Sequence, residues 1–190
     1  MTFATARQLA LNAPDTVILA GDEASLYLQA SVMRVWAPTG QTPLIKVAAN
    51  RDSTHFYGVL DLVSGQEITL RSEIMTSEAS ALFVSRVLLT YPEKPILLLW
   101  DRATWHRGAA VRAILEANPR LEVMWFPPGC PELNPQEHVW KAAREAVSHN
   151  HTQTKLPALA DAFDKHLTTA RFPCSLLEQL GYHEICATFN

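Results

Sequence analysis

The first third of the chain alternates short apolar stretches with turn residues. Apolar or alternating patterns predict strands at 16–21, 25–36, 55–63 and 66–71. Ser64-Gly65, between the last two stretches, predicts the turn of a hairpin. This part of the chain therefore predicts a group of strands without an intervening helix.

The rest of the chain mixes helical spacing with apolar runs. The pattern predicts helices at 76–91, 106–119 and 135–148 and strands at 95–100 and 121–126. Because 95–100 is the most continuous apolar run, it is expected to be a central strand covered on both faces. Residues 155–180 predict two short helices around Pro173. The order of elements predicts an α/β fold, a mixed sheet of about five strands flanked by helices with a short C-terminal helical tail. The tryptophans within apolar stretches are expected in the core: Trp36, Trp100, Trp125 and Trp140.

Composition narrows the class of protein. With 48% hydrophobic and 18% charged residues, the chain is typical of a globular protein, and no apolar run approaches the ~18 residues of a membrane-spanning helix. Without a recognisable signal peptide, and with three widely spaced cysteines, a cytoplasmic location with reduced thiols is predicted. The net charge of −3 argues against a stand-alone nucleic-acid binder but not against a metal-dependent enzyme that acts on DNA.

Three acidic residues are predicted at one edge of the sheet. Asp22 follows the first apolar run and Asp101 follows the central one, so the two converge if their strands are neighbours. Glu137, in the first turn of a later helix, can join them. Three carboxylates suit Mg²⁺ or Mn²⁺ better than zinc, and a pair of such ions promotes phosphoryl displacement.

Each acid also has an ordinary structural interpretation. Asp22 is equally compatible with a turn, and Asp101 with a helix cap. The order Asn134-Pro135-Gln136-Glu137 matches positions N-cap to N3, where Glu137 would accept a hydrogen bond from the N-cap backbone as in a capping box. Helical geometry offers a reason for the metal interpretation, since basic residues share the face of the glutamate. That face carries Glu137, Lys141, Arg144 and Ser148.

Four segments together resemble a known family. They are LAGDEASLYL, WAPTGQTP, LLLWDRATWHRG and FPPGCPELNPQEHVWK, and they contain Asp22, Asp101 and Glu137 in order. The chain resembles, over roughly residues 14 to 150, the DDE-type catalytic domain of bacterial insertion-sequence transposases related to the mariner group. The 35 residues between Asp101 and Glu137 are a typical spacing for such domains.

The resemblance implies an RNase H-like catalytic domain at 16–150, after a residual linker or helix at 1–15 and before a C-terminal helical extension at 151–190. It implies that the three acids together hold two Mg²⁺ or Mn²⁺ ions. The implied reaction is cleavage of DNA at transposon ends and transfer of the free 3′-hydroxyl into target DNA.

The same resemblance suggests partners and further site residues. The candidates for nucleic-acid contacts are Arg102, His106, Asn134, Lys141 and Arg144. The expected partners are DNA, a second copy of the chain in the active state, and an N-terminal helix-turn-helix domain or partner chain, for which residues 1–15 are too short. Two alternatives stay open, a nuclease that only cleaves and an inactive remnant that serves as a DNA-binding or oligomerisation module.

Overall fold

The computed structural model describes residues 15–41, 44 and 50–172, with five strands and four α-helices. The strands are β1 (Val17–Tyr27), β2 (Ser53–Asp61), β3 (Glu67–Ser72), β4 (Ile96–Trp100) and β5 (Leu121–Trp125). The helices are α1 (Ser77–Thr90), α2 (Ala109–Ala117), α3 (Gln136–Ala143) and α4 (Leu156–Thr169). The 3₁₀ turns are Thr104–Arg107 and Pro131–Leu133, and a π-helical turn, Arg144–Ser148, follows α3.

The strands form one mixed sheet in the order β3-β2-β1-β4-β5. β1, β2 and β3 pair antiparallel, whereas β4 and β5 continue parallel to β1. Parallel neighbours need crossover connections, which α1 and α2 provide. All residues of β4 are buried, as its apolar run predicted. The predicted mixed α/β architecture is confirmed.

Helices cover both faces of the sheet, each over its own apolar core. On one face α1 and α2 pack on the sheet through Phe83, Val87 and Val111. On the other, α3 and α4 pack through Val139, Trp140 and Phe163. The second core is the one beneath the helix that carries Glu137, so packing on this face decides where that residue lies.

Two expectations for the segment after the first apolar run are wrong. β1 does not end at Gly21 but continues through Asp22, because β2 pairs with it as far as Tyr27. The strand predicted over 25–36 stops at Tyr27, and Trp36, expected in the core, is fully exposed. Burial follows the alternation only as far as Ala30, and residues 31–36 are all exposed.

The predicted helices at 106–119 and 135–148 are both interrupted. The first divides at Gly108 into the 3₁₀ turn and α2, and the second changes into the π-helical turn at Arg144. The second short helix expected around Pro173 lies outside the described residues. No helix in the described part of the chain is long and apolar enough to cross a membrane.

Candidate active site

The parallel pairing of β1 and β4 brings two of the predicted acids side by side. Ala20 is the register partner of Leu99, so two further residues along each strand lead to Asp22 and Asp101. Neighbouring strands lie ~4.8 Å apart, which places both residues at the same point of the sheet edge. Asp22 lies within β1 rather than at its end, but it lies just beyond the part of β1 that pairs with β4.

A cavity of about 350 Å³ joins these two acids to the third. Asp22, Asp101 and Glu137 all line it, although they come from β1, the end of β4 and the first turn of α3. Arg102 and the proline-rich segment 126–131 form other parts of its wall. The cavity therefore combines clustered carboxylates, one cation and an apolar surface.

The start of α3 is tied directly to β1 by Asn134. Its Oδ1 accepts a hydrogen bond from the Gln136 backbone N–H at 3.1 Å, and its Nδ2 donates to the Gly21 carbonyl at 3.2 Å. The backbone N–H of Asn134 donates to Pro131 O, so it is not left for the Glu137 side chain as a capping box requires. Asn134 thus caps the helix, and Glu137 is exposed on the cavity.

Asp22 lies in a strongly negative, partly enclosed position. Trp140, one turn after Glu137, donates from Nε1 to Asp22 Oδ2 at 3.2 Å. Burial, together with the negative charges of Glu137, Glu23 and Asp101, raises the pKa of Asp22 to about 7. A divalent cation in the cavity would relieve this repulsion.

His106 bridges two acidic side chains beneath the cavity. Its Nε2 lies 2.7 Å from Glu23 Oε1 and its Nδ1 lies 2.7 Å from Asp101 Oδ1, while the ring stacks on Trp100 at 3.7 Å between centroids. Burial alone would lower the pKa of His106, but the hydrogen bonds to Asp101 and Glu23 and their charges raise it to about 9. The ring is therefore an imidazolium at neutral pH, and it donates to both carboxylates.

The same contact keeps Asp101 ionised. The hydrogen bond from His106 lowers the pKa of Asp101, against the opposing effect of burial, and the Ala103 backbone N–H supports it. Trp105 donates from Nε1 to the second oxygen of Glu23 at 3.2 Å, so both oxygens of Glu23 are occupied. Glu23 and His106 thus hold one oxygen of Asp101 in place.

The other predicted nucleic-acid residues are distributed unevenly. Arg102 and Asn134 line the cavity, Lys141 is exposed on α3, and Arg144 is partly buried. The ring of His106 has no accessible surface, so in this arrangement it does not reach a phosphate or a base.

Sequence reasoning assigned no site role to three residues. Glu23 contacts His106, the partner of Asp101, and Trp140 contacts Asp22. Gln136 is fully buried beside Glu137. Glu23 is adjacent to Asp22 in sequence, and Trp140 lies on the apolar stripe of its helix. These two positions were the features of the sequence that could have indicated a role at the site.

The donor set fits a divalent cation in its chemistry. Mg²⁺ and Mn²⁺ prefer carboxylate oxygens, and the pKa of Asp22 is raised first by burial and then by the neighbouring carboxylates. Within residues 15–41, 44 and 50–172, no three His, Cys, Asp or Glu side chains are grouped closely enough to hold a metal ion as they stand. The acids line the cavity without forming a closed set of ligands.

Comparison with known proteins gives a sequence relative and solved structures with a similar fold. A protein of an insertion element, the uncharacterized 39 kDa protein of IS630 from Shigella sonnei, is 26% identical over 134 residues, 68% of this chain and 38% of that protein. The chain thus spans well under half of that relative.

Solved structures of Mos1 transposase share the fold. The mariner Mos1 paired end complex with Mg superposes with a TM-score of 0.65 at 17% identity, over 90% of this chain and 52% of that chain. The catalytic domain of Mos1 mariner transposase gives a TM-score of 0.61 at 14% identity, over 90% of this chain and 79% of that one. The predicted RNase H-like fold is confirmed by this likeness.

The family is identified by a match over most of the chain. The model of the DDE superfamily endonuclease family matches residues 17–160, which include Asp22, Asp101 and Glu137. The resemblance predicted from the sequence motifs is therefore confirmed, and this chain belongs to the DDE superfamily endonuclease family.

Proposed function

We propose that this chain is a transposase catalytic domain that cleaves DNA at transposon ends and joins the freed 3′-hydroxyl to target DNA. The observation that carries the proposal is the meeting of Asp22, Asp101 and Glu137 at one cavity from three distant elements. Membership of the DDE superfamily endonuclease family supports it, as do the solved Mos1 transposase complexes, one with a left transposon end and others with Mn or Mg.

The proposed chemistry consists of two in-line displacements at phosphorus. In the first, a water oxygen attacks a phosphodiester at the transposon end, the bond from phosphorus to the 3′-oxygen breaks, and a 3′-hydroxyl and a 5′-phosphate are left. In the second, that 3′-hydroxyl attacks a target phosphodiester, and the target strand leaves with its own 3′-hydroxyl. Bound Mg²⁺ or Mn²⁺ supplies activation of the attacking oxygen and stabilisation of the leaving one.

The residues of the chain have separate parts in this scheme. Asp22, Asp101 and Glu137 would hold the metal. Arg102, exposed on the cavity wall, offers a positive charge to a phosphate group of the DNA. The apolar wall of segment 126–131 limits access of water to the reacting phosphate.

The first test is titration of Mn²⁺ into the wild type and into Asp22→Ala, Asp101→Ala and Glu137→Ala by calorimetry, with circular dichroism as the check on folding. Each substitution is expected to weaken Mn²⁺ affinity by about tenfold or more. Glu145→Ala removes an exposed carboxylate two turns further along and is the matched control. Its affinity is expected to equal that of the wild type.

The second test is nicking of supercoiled plasmid in Mn²⁺, followed by joining of a labelled 3′-hydroxyl oligonucleotide to target DNA. Nicking and joining by the wild type, both lost in Asp101→Ala, would support the transposase. Nicking without joining would favour a nuclease that only cleaves. A folded wild type that neither binds Mn²⁺ nor nicks DNA would refute the proposed function in favour of an inactive remnant.

A further inference from the structure

A buried acid on the sheet lies outside the cavity that the three acids line. Glu67, the first residue of β3, is only 3% exposed, and its Oε1 accepts a hydrogen bond from Gln136 Nε2 at 2.6 Å. Among the described residues, no partner meets its Oε2, which is fully buried. Burial raises the pKa of Glu67 well above its ordinary value of 4.5, although the hydrogen bond from Gln136 opposes the shift.

The partner of this acid is the first residue of α3. Gln136 has no exposed surface and directly precedes Glu137, and its own Oε1 also lacks a hydrogen-bond partner among the described residues. A single proton on Glu67 Oε2, donated to Gln136 Oε1, would satisfy both unpartnered atoms, because the two side chains are already joined by one hydrogen bond. A carboxylic acid and an amide then form a neutral pair with two hydrogen bonds.

The pair sits where the sheet has no side chain. A Cβ built on Gly58 would come within 3.0 Å of Glu67 Oε1, Gln136 Nε2 and Trp140 Cη2. Gly58 is also the register partner of Asp22 across β1 and β2. The missing side chain therefore lets the first turn of α3 lie directly against the sheet beside one of the cavity acids.

We propose that Glu67 and Gln136 are positioning residues, a neutral acid–amide pair that fixes the first turn of α3 on the sheet and so holds the Glu137 carboxylate at the cavity. The function assigned to Glu137 rests on the proposed function above. Neither member of the pair lines the cavity and Gln136 directly precedes Glu137, so their effect on metal or DNA is expected to pass through Glu137.

Two changes separate the hydrogen bonds of the pair from its burial. Glu67→Gln keeps a group that accepts from and donates to Gln136, as the protonated acid does. The double substitution Glu67→Leu with Gln136→Leu removes both polar groups and keeps an apolar filling, which preserves the fold better than leaving one buried partner alone. Glu122→Gln, on the exposed side of β5, is the control for a simple loss of charge.

The first readout is hydrogen exchange of the backbone amides of 136–140, which reports the seating of α3 without any metal. Exchange in Glu67→Gln is expected within about twofold of the wild type, and in the double leucine variant about tenfold faster. Unchanged exchange in the folded double leucine variant would overturn the proposal. If the double leucine variant fails to fold, Glu67→Gln decides, since faster exchange in that variant contradicts an acid–amide pair.

The second readout is a double-mutant cycle on Mn²⁺ affinity with Glu137→Ala. If the pair holds Glu137 in place, the double leucine variant binds Mn²⁺ about tenfold more weakly, and adding Glu137→Ala costs at most about a further twofold. A full, additive effect of Glu137→Ala in that background would overturn the positioning role. A wild type whose Mn²⁺ affinity is indifferent to Glu137→Ala would contradict the proposed function instead, and exchange alone would then decide the pair.

Discussion

Replacement of Gly58 by alanine tests the seating of α3 on the sheet. The added methyl group would lie within 3.0 Å of Glu67 Oε1, Gln136 Nε2 and Trp140 Cη2, whereas ordinary contacts begin near 3.4 Å. Trp140 is 1% exposed and Gln136 is fully buried, so neither side chain has free space to move into. The methyl group is accommodated only if α3 rises from the sheet or the pair separates.

The cost follows from these contacts. Overpacking of a close-packed interior costs ~1–3 kcal/mol, and loss of the hydrogen bond between Glu67 and Gln136 adds ~1 kcal/mol. We therefore expect Gly58→Ala to lower the free energy of unfolding by about 3 kcal/mol, and Tm by roughly 6–12 °C for a domain of this size. The measurements are urea unfolding followed by tryptophan fluorescence and a thermal melt at pH 7.5.

Gly21→Ala is the matched control on the neighbouring strand. Its Cβ would meet Leu98 Cδ1 at 3.3 Å and Trp100 Cδ1 at 3.4 Å, contacts that small side-chain shifts relieve. We expect a loss below about 1 kcal/mol. Equal stability of the two variants would refute the close seating of α3 over Gly58, and with it the geometric basis of the acid–amide pair.

Two further predictions concern buried polar contacts. His106→Ala leaves the carboxylate of Glu23 buried without its ion partner, so we expect the free energy of unfolding in urea to fall by ~3–5 kcal/mol. The control is Arg107→Ala at the exposed neighbouring position, for which we expect a loss of ~0.5 kcal/mol or less. A small loss in both variants would contradict the buried bridge. Because the folded pKa of Glu67 lies above its ordinary 4.5, its contribution to stability is greatest below pH 4.5 and is lost as the pH rises toward the folded value. Glu67→Gln does not titrate, so its Tm advantage over the wild type is expected to be larger at pH 8 than at pH 5; an advantage that shrinks with pH would show that Glu67 is ionised in the fold.

Elements with a strong local signal were predictable from sequence. The continuous apolar run of β4 and the helical spacing of α1 each point to one structure, and Thr76 accepts from the Ala79 backbone N–H as an N-cap residue should. The convergence of Asp22 and Asp101 was also predictable, because parallel neighbouring strands bring their carboxyl ends to one edge.

Long-range polar contacts had no such signal. Glu67 and Gln136 are 69 positions apart and His106 and Glu23 are 83 apart, and each occupies a position that polarity alone assigns to the surface. The extension of β1 past Asp22 was missed for a related reason. Gly21 favours a turn locally, but antiparallel pairing with β2 overrides that preference.

Four buried polar side chains connect the elements that bear the three acids. Burial of a polar group is unfavourable without partners, so such groups persist where they set a geometry that the protein needs. Glu67, Gln136, Asn134 and His106 are all buried, and each contacts either the start of α3 or an acid at the end of β4 or within β1. Other buried polar residues have different partners: Asp61 accepts from backbone N–H groups of its own hairpin and from the Tyr91 hydroxyl, and Thr69 donates to Asp164. Because the hydrogen bonds of these four residues tie α3 to the sheet and His106 to Asp101, they fix where the elements bearing the three acids lie relative to one another.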